Sequence, residues 1–119
     1  MKRILIVEDD LDMLELLRIV FRDSGYDMVF SSIAPENDDI KVMQPDLILL
    51  DVRLKGASKS GANICAELKA SPDTKIFPVI LISGEYNLAE IARECKADMF
   101  LAKPYKMLSL LLTVNKYLS

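Results

Sequence analysis

Asp46-Leu47-Ile48-Leu49-Leu50-Asp51-Val52-Arg53 is the stretch whose reading decides the fold. Its apolar run, Leu47 to Leu50, is short, continuous and stopped by a carboxylate, Asp51. Such a run reads as a strand buried on both faces, in the middle of a parallel sheet. In open parallel sheets binding and chemistry gather just beyond the carboxyl ends of the strands. Asp51 stands at such an end, so the other strand ends decide what it can do.

Outward from that strand the chain alternates. Lys2–Val7 reads as a strand ended by Glu8, Asp9 and Asp10. Met13, Leu14, Leu17, Val20 and Phe21 then recur at helical spacing, with Asp12, Glu15, Arg18 and Arg22 on the wet face and Ser24-Gly25 as a stop. Asp27–Phe30 is a weaker strand. A short helix follows, with Pro35 suited to its first turn, Glu36, Asp38 and Asp39 to its positive end, and Ile40, Val42 and Met43 as its apolar residues. Beyond Asp51, a polar loop, Lys55–Ser60, carries glycine at 56 and is followed by Gly61. Ala62–Ala70 has Ile64, Cys65 and Leu68 at helical spacing, and Pro78–Ser83 is a second fully apolar strand. Leu88, Ile91, Ala92 and Cys95 form a helical stripe, Met99–Ala102 a fifth strand ended by Lys103-Pro104, and Met107, Leu111, Val114 and Leu118 the face of a last helix. Met13, Met28, Met43, Met99 and Met107 are expected as core filler.

Five strands alternating with five helices predict one α/β domain over residues 1–119, a doubly wound parallel sheet with helices on both faces. Right-handed crossovers favour the flavodoxin-like strand order 2-1-3-4-5, whose switch point lies between the first and third strands. Those are the two strands that end in carboxylates.

Bulk properties narrow the function. The 119 residues are 51% hydrophobic and 28% charged, which speaks against disorder. No apolar stretch reaches the ~18 residues of a membrane span, and the apolar run after Met1 is too short for a signal peptide, so no membrane association and a cytoplasmic location are expected. A net charge of −3 argues against direct nucleic-acid binding. The absence of histidine excludes histidine-based acid–base catalysis and metal ligation. Cys65 and Cys95 lack metal-ligand spacing and are expected as buried, reduced thiols.

Singly, the strand-end residues have ordinary readings. Asp9 or Asp10 could cap a helix, as could Ser83. Lys103 could be a solvated surface lysine, and Asp51 could open a loop. Together they change meaning, because the topology brings Glu8, Asp9, Asp51, Ser83 and Lys103 to one edge of the sheet. Three carboxylates at one place repel each other and call for a cation. Hard oxygen ligands describe Mg²⁺, and a lysine and a hydroxyl facing an acid and a metal describe a seat for a phosphoryl group.

At this point the chain resembles a bacterial two-component response-regulator receiver domain, of the CheY-like kind, over essentially its whole length. The resemblance rests on Ile-Leu-Ile-Val-Glu-Asp-Asp (4–10), Pro-Asp-Leu-Ile-Leu-Leu-Asp (45–51), Pro-Val-Ile-Leu-Ile-Ser-Gly (78–84) and Ala-Asp-Met-Phe-Leu-Ala-Lys-Pro-Tyr (97–105). It implies that Asp51 is the phosphoacceptor, served by a sensor histidine kinase or a histidine phosphotransfer protein. It implies Mg²⁺ on Asp9 and Asp51, with Glu8 acting through water and the Arg53 backbone carbonyl completing the protein ligands. Lys103 would pair with the acceptor and then the phosphate, Ser83 would bond a phosphate oxygen, and Phe100 would turn inward as the switch aromatic. The altered surface would be the last helix–strand–helix unit, roughly Tyr86–Lys116, read by a downstream protein or output domain, with homodimerisation on phosphorylation as one form of readout.

The chain departs from the pattern in places. The family usually has proline four residues after the acceptor, where Lys55 stands, and glycine eight after it, whereas Gly61 comes ten after. A two-residue insertion in Lys55–Ser60 follows, read either as a surface insertion or as one through which Lys55 or Lys59 alters partner docking. Phe100 lacks the hydroxyl of the commoner tyrosine. Arg53 and Glu85 flank the site and are expected to pair across it, modulating loss of the phosphate. An aspartyl-phosphate phosphatase of the haloacid-dehalogenase kind would want a second Asp at 53, where Arg stands, so a signalling domain rather than an enzyme is expected. Two alternatives stay open: a pseudo-receiver that binds without the chemistry, and a receiver belonging to a longer regulator with, for example, a DNA-binding domain.

Overall fold

Each apolar run becomes a strand, and the polar stop after each becomes a loop. In the computed structural model, which describes residues 1–119, the chain runs β1 (Arg3–Val7), α1 (Leu11–Val20), β2 (Asp27–Ser31), α2 (Asn37–Met43), β3 (Leu47–Asp51), α3 (Gly61–Ala70), β4 (Val79–Ser83), α4 (Leu88–Glu94), β5 (Met99–Ala102) and α5 (Met107–Leu118). All strand pairs are parallel and the order is β2-β1-β3-β4-β5, as the sequence predicts.

The unbroken apolar character of β3 has a simple cause. Its side chains alternate between the two faces, and helices cover both. Leu47 and Leu49 pack with Ile4, Ile6, Ile80 and Ile82 against Leu14, Leu17 and Phe21 of the α1 side and Leu110 and Val114 of α5. Ile48 and Leu50 pack with Leu5, Val7, Val79 and Leu81 against Ile40 of α2, Ile64 and Leu68 of α3, and Leu88 and Ala92 of α4. Each such side chain is worth about 1.5–3 kcal/mol on full burial, so two dry faces leave β3 no room for a polar residue before Asp51.

Polar anchors secure the amino ends of the strands. Arg3 donates to Asp27 and to the Met43 carbonyl, while its backbone N–H donates to Asp46 at 2.7 Å. Lys69, nearly buried, donates to the Lys75 and Phe77 carbonyls and to Asp98, and Asp98 also accepts from the Val79 N–H. Structural charge thus sits at the amino edge, and the carboxyl edge is left to the residues singled out for function.

Some local expectations are corrected. Pro35 precedes α2 rather than lying in its first turn, since Glu36 is the N-cap. Val42 is 84% exposed, because a seven-residue helix has only one turn's worth of buried face, taken by Ile40. On α5 the fully buried pair is Leu110 and Val114, with Met107, Leu111 and Leu118 flanking them. Met99 stands half out of the edge strand rather than filling the core. Cys65 and Cys95 are buried free thiols, as expected.

Gly61 is where packing meets the site. Its N–H donates to the Val52 carbonyl at 2.7 Å, and a Cβ placed on it would lie 2.0 Å from the Asp51 carbonyl oxygen. Backbone cannot yield as a flexible side chain can, so Gly61→Ala is expected to cost about 1–3 kcal/mol or more. At Gly84 the nearest atom to an added Cβ is 3.9 Å away. Urea denaturation of Gly61→Ala beside Gly84→Ala checks this, with a clear loss in the first and a change within about 0.5 kcal/mol in the second.

Candidate functional site

The ends of β1, β3, β4 and β5 meet in an open cleft of about 500 Å³ with no apolar residue in its lining. Strand pairing sets the alignment: Val7 stands beside Leu50, Asp51 beside Ile82, and Ser83 beside Ala102. Glu8, Asp51 and Lys103, each at or just past its strand end, therefore arrive at one level. Glu8, Asp51 and Ser83 are 4%, 5% and 2% exposed. Three polar residues so deeply buried need partners, and the cleft supplies them.

Lys103 is the centre of that supply. Its Nζ donates to Asp51 Oδ2 at 2.7 Å and to Glu8 Oε1 at 3.2 Å. The second Asp51 oxygen accepts from the Arg53 N–H at 3.2 Å, and Glu8 Oε2 from the Asp10 N–H at 3.4 Å. Burial pulls the Lys103 pKa down, but its bonds and attraction to Asp51 and Glu8 outweigh that and leave it raised. The opposite holds for Glu8, whose carboxyl is pushed up to about 7, first by burial and then by neighbouring Asp51, with Lys103 offsetting only part.

Glu8, Asp9 and Asp51 can each offer a carboxylate oxygen such that the three lie within 4.8 Å of one another. All are hard donors, and one ammonium does not balance three carboxylates. The donor set fits a hard divalent cation that retains waters, the Mg²⁺ kind. Asp9 is placed from the other side of the cleft, where its Oδ2 accepts from the Lys55 backbone N–H at 2.6 Å. The cap of α1 is Asp10, whose Oδ1 accepts from the Asp12 and Met13 N–H groups at 3.0 and 3.2 Å. That division of labour leaves Asp9 free of a capping role.

Ser83 Oγ accepts from the Glu85 N–H at 2.9 Å, which keeps its own O–H proton available to an acceptor in the cleft. Arg53 Nε and Glu85 Oε1 form an ion pair across the mouth. Arg53 is 79% exposed there and Glu85 24%. Phe100 does not line the cleft. It is 46% exposed on edge strand β5, turned to solvent. The structure thus brings together Glu8, Asp9, Asp51, Arg53, Lys55, Ser83, Glu85 and Lys103, and leaves Phe100 apart. Missed by the sequence reading are the backbone donors of Asp10, Arg53, Lys55 and Glu85, which no side-chain letter reports.

With this geometry in place, comparison with known proteins is direct. Residues 4–115 match the response regulator receiver domain family. The DNA-binding response regulator MtrA of Mycobacterium tuberculosis is 31% identical over 108 residues, covering 88% of this chain and 45% of that protein. The alkaline phosphatase synthesis transcriptional regulatory protein PhoP of Bacillus subtilis is 29% identical over 87% of this chain and 43% of its own. The chain spans about half the length of these relatives. Among solved structures, the signal receiver domain of a signal transduction histidine kinase from Syntrophus aciditrophicus aligns with a TM-score of 0.82 at 30% identity, covering 99% of this chain and 90% of that one. The receiver domain of NtrX from Brucella abortus aligns at 0.80 and 29%, covering 97% of each. No helix is long and apolar enough to cross a membrane.

Glu8 gives the metal-free protein a pH signature. Its folded pKa, about 7, lies above the ordinary 4.5, so its contribution is fully present below 4.5 and is lost as pH rises through 7. Between pH 5 and 8 without divalent metal, the wild type is expected to lose roughly 1–3 kcal/mol from this group. Glu8→Gln should flatten that slope, as read from urea midpoints at the two pH values.

Proposed function

This chain belongs to the response regulator receiver domain family, which works in two-component signalling, and we propose that it does so by accepting a phosphoryl group on Asp51. The observation that carries the proposal is the Lys103 ammonium at 2.7 Å from Asp51 Oδ2, inside a cleft whose carboxylates fit a divalent cation. The donor is a phosphohistidine on a sensor kinase or histidine phosphotransfer protein. The histidine N–P bond breaks as an Asp51 O–P bond forms, and the ring nitrogen keeps the electron pair.

Glu8, Asp9 and Asp51, with the Arg53 backbone carbonyl, would hold Mg²⁺, Glu8 reaching it through water. The metal, when bound, supplies positive charge to the transferring phosphoryl oxygens. The protein's own groups do the rest. Lys103 orients Asp51 and then pairs with a phosphate oxygen, and the Ser83 hydroxyl donates to another. The acyl phosphate adds about −1.5 to −2 of charge beside Ser83. Ser83 moving toward that charge draws the loop before α4 with it, and Phe100 turns inward to fill the space left behind. The surface read by a downstream partner or output domain is then α4–β5–α5, a local charge change with a packing readout. The domain transmits a state rather than turning over a substrate. Phosphorylation-dependent pairing through the same face is one form such a readout takes.

Intact mass after incubation with acetyl phosphate and Mg²⁺ tests the reading. One phosphoryl group should be gained, metal-dependently, and Asp51→Asn should gain none. No gain by folded, Mg²⁺-binding wild type would instead favour a pseudo-receiver acting by binding alone. In this reading the Arg53–Glu85 pair across the mouth of the cleft screens the phosphate from water. Arg53→Ala is therefore expected to shorten the phosphate lifetime several-fold, followed as loss of the added mass, and an unchanged rate would remove Arg53 from that role.

A further inference from the structure

The loop Leu54–Ser60 makes one contact whose chemistry points into the metal cleft. Ala57 N–H donates to the Leu54 carbonyl at 3.2 Å, closing a four-residue turn. Gly56, third in that turn, has φ +71, the left-handed value a type II turn requires at that position. Lys55 is second in the turn, and turn closure does not use its N–H. That N–H donates to Asp9 Oδ2 at 2.6 Å. The turn is fixed from below, since Leu54 is buried in the core and Ala57 packs against it. The donor is therefore held by packing, not by the exposed lysine side chain.

We propose that the Lys55 backbone amide is a positioning group for the metal site. It holds Asp9 aimed at the gap it shares with Glu8 and Asp51, so that loop Leu54–Ser60 and divalent-cation affinity are coupled. The proposal rests on the metal-binding reading above. Its physical content is specific. Asp9 faces two other carboxylates within 4.8 Å, and their repulsion drives it toward solvent. A charge-assisted bond from a fixed amide opposes that drift. One oxygen is engaged by the amide, and the other remains for the cation.

The turn itself offers a clean probe. Proline is favoured at the second position of a type II turn and has no N–H, so Lys55→Pro keeps the turn, removes the donor and the side chain, and sets its ring where Asp9 Oδ2 now lies, turning Asp9 away. Lys55→Ala removes the side chain and keeps the donor. Calorimetric Mg²⁺ titration of wild type and both variants is the test, with urea midpoints and amide hydrogen exchange of residues 54–60 measured alongside. Lys55→Pro is expected to weaken Mg²⁺ binding about 3–10-fold, the size of one modest hydrogen bond, while Lys55→Ala binds as wild type does and both keep the native midpoint. In wild type the Lys55 amide should exchange slowly, and Asp9→Ala should speed it with little change at Ala57. Equal or tighter binding by Lys55→Pro, or equal weakening in both variants, would overturn the proposal. A wild type that binds no Mg²⁺ would instead overturn the metal-binding reading, and this inference with it.

Discussion

Everything at the carboxyl edge depends on Lys103 reaching two buried carboxylates at once. Two carboxylates at the spacing found here repel by roughly 3 kcal/mol at an effective dielectric of about 20, and three of them cannot all be charged and dry without help. The ammonium answers Asp51 directly and Glu8 at slightly greater distance, while Asp9, on the rim, leans on a backbone amide instead. The balance is left incomplete. Glu8 registers the deficit, its carboxyl being driven up toward neutrality. A deficit of this kind favours the arrival of positive charge and opposes that of a further anion. In the proposed reading this sets the order of events, with metal first and phosphoryl group second.

The fold was readable because β3 and β4 are buried on both faces, so nearly every strand letter is apolar and every stop is polar. Topology then did what no single residue could, placing Glu8, Asp51, Ser83 and Lys103 side by side although up to 95 positions separate them in sequence. What could not be read has two sources. One is the choice between neighbours of like chemistry. Asp9 and Asp10 are the same letter, and only the entry angle of α1 makes Asp10 the cap. Leu110 and Leu111 likewise differ only in which way α5 is rotated on the sheet. The other is the backbone, which carries no letter at all. Lys55 reads as an exposed lysine in a polar loop, yet its relevant atom is an amide hydrogen, aimed by Gly56 and by the burial of Leu54.

The two sides of the cleft are built differently. Beside β3, the loop is pinned by Leu54, by the Gly61 approach to the Asp51 carbonyl, and by a capping box between Ser60 and Asn63 at the start of α3. Beside β4 and β5 there is less. Helix α4 has seven residues and no side-chain cap, and helices that short depend on tertiary packing for their stability. Edge strand β5 leaves Met99 and Phe100 partly in water.

That asymmetry bears on which way a signal would travel. A charge added at Asp51 pulls on both rims, but the β3 rim can move only by disturbing backbone packed against backbone. The other rim hinges on Ser83, whose hydroxyl bonds a single N–H of the next loop, and on an aromatic already outside the core. The cheaper displacement is therefore toward α4 and β5. A stiff side that holds the chemistry and a compliant side that reports it follow from where the caps, the glycine approach and the buried anchors happen to lie, so the direction of the proposed switch is a consequence of packing rather than an addition to it.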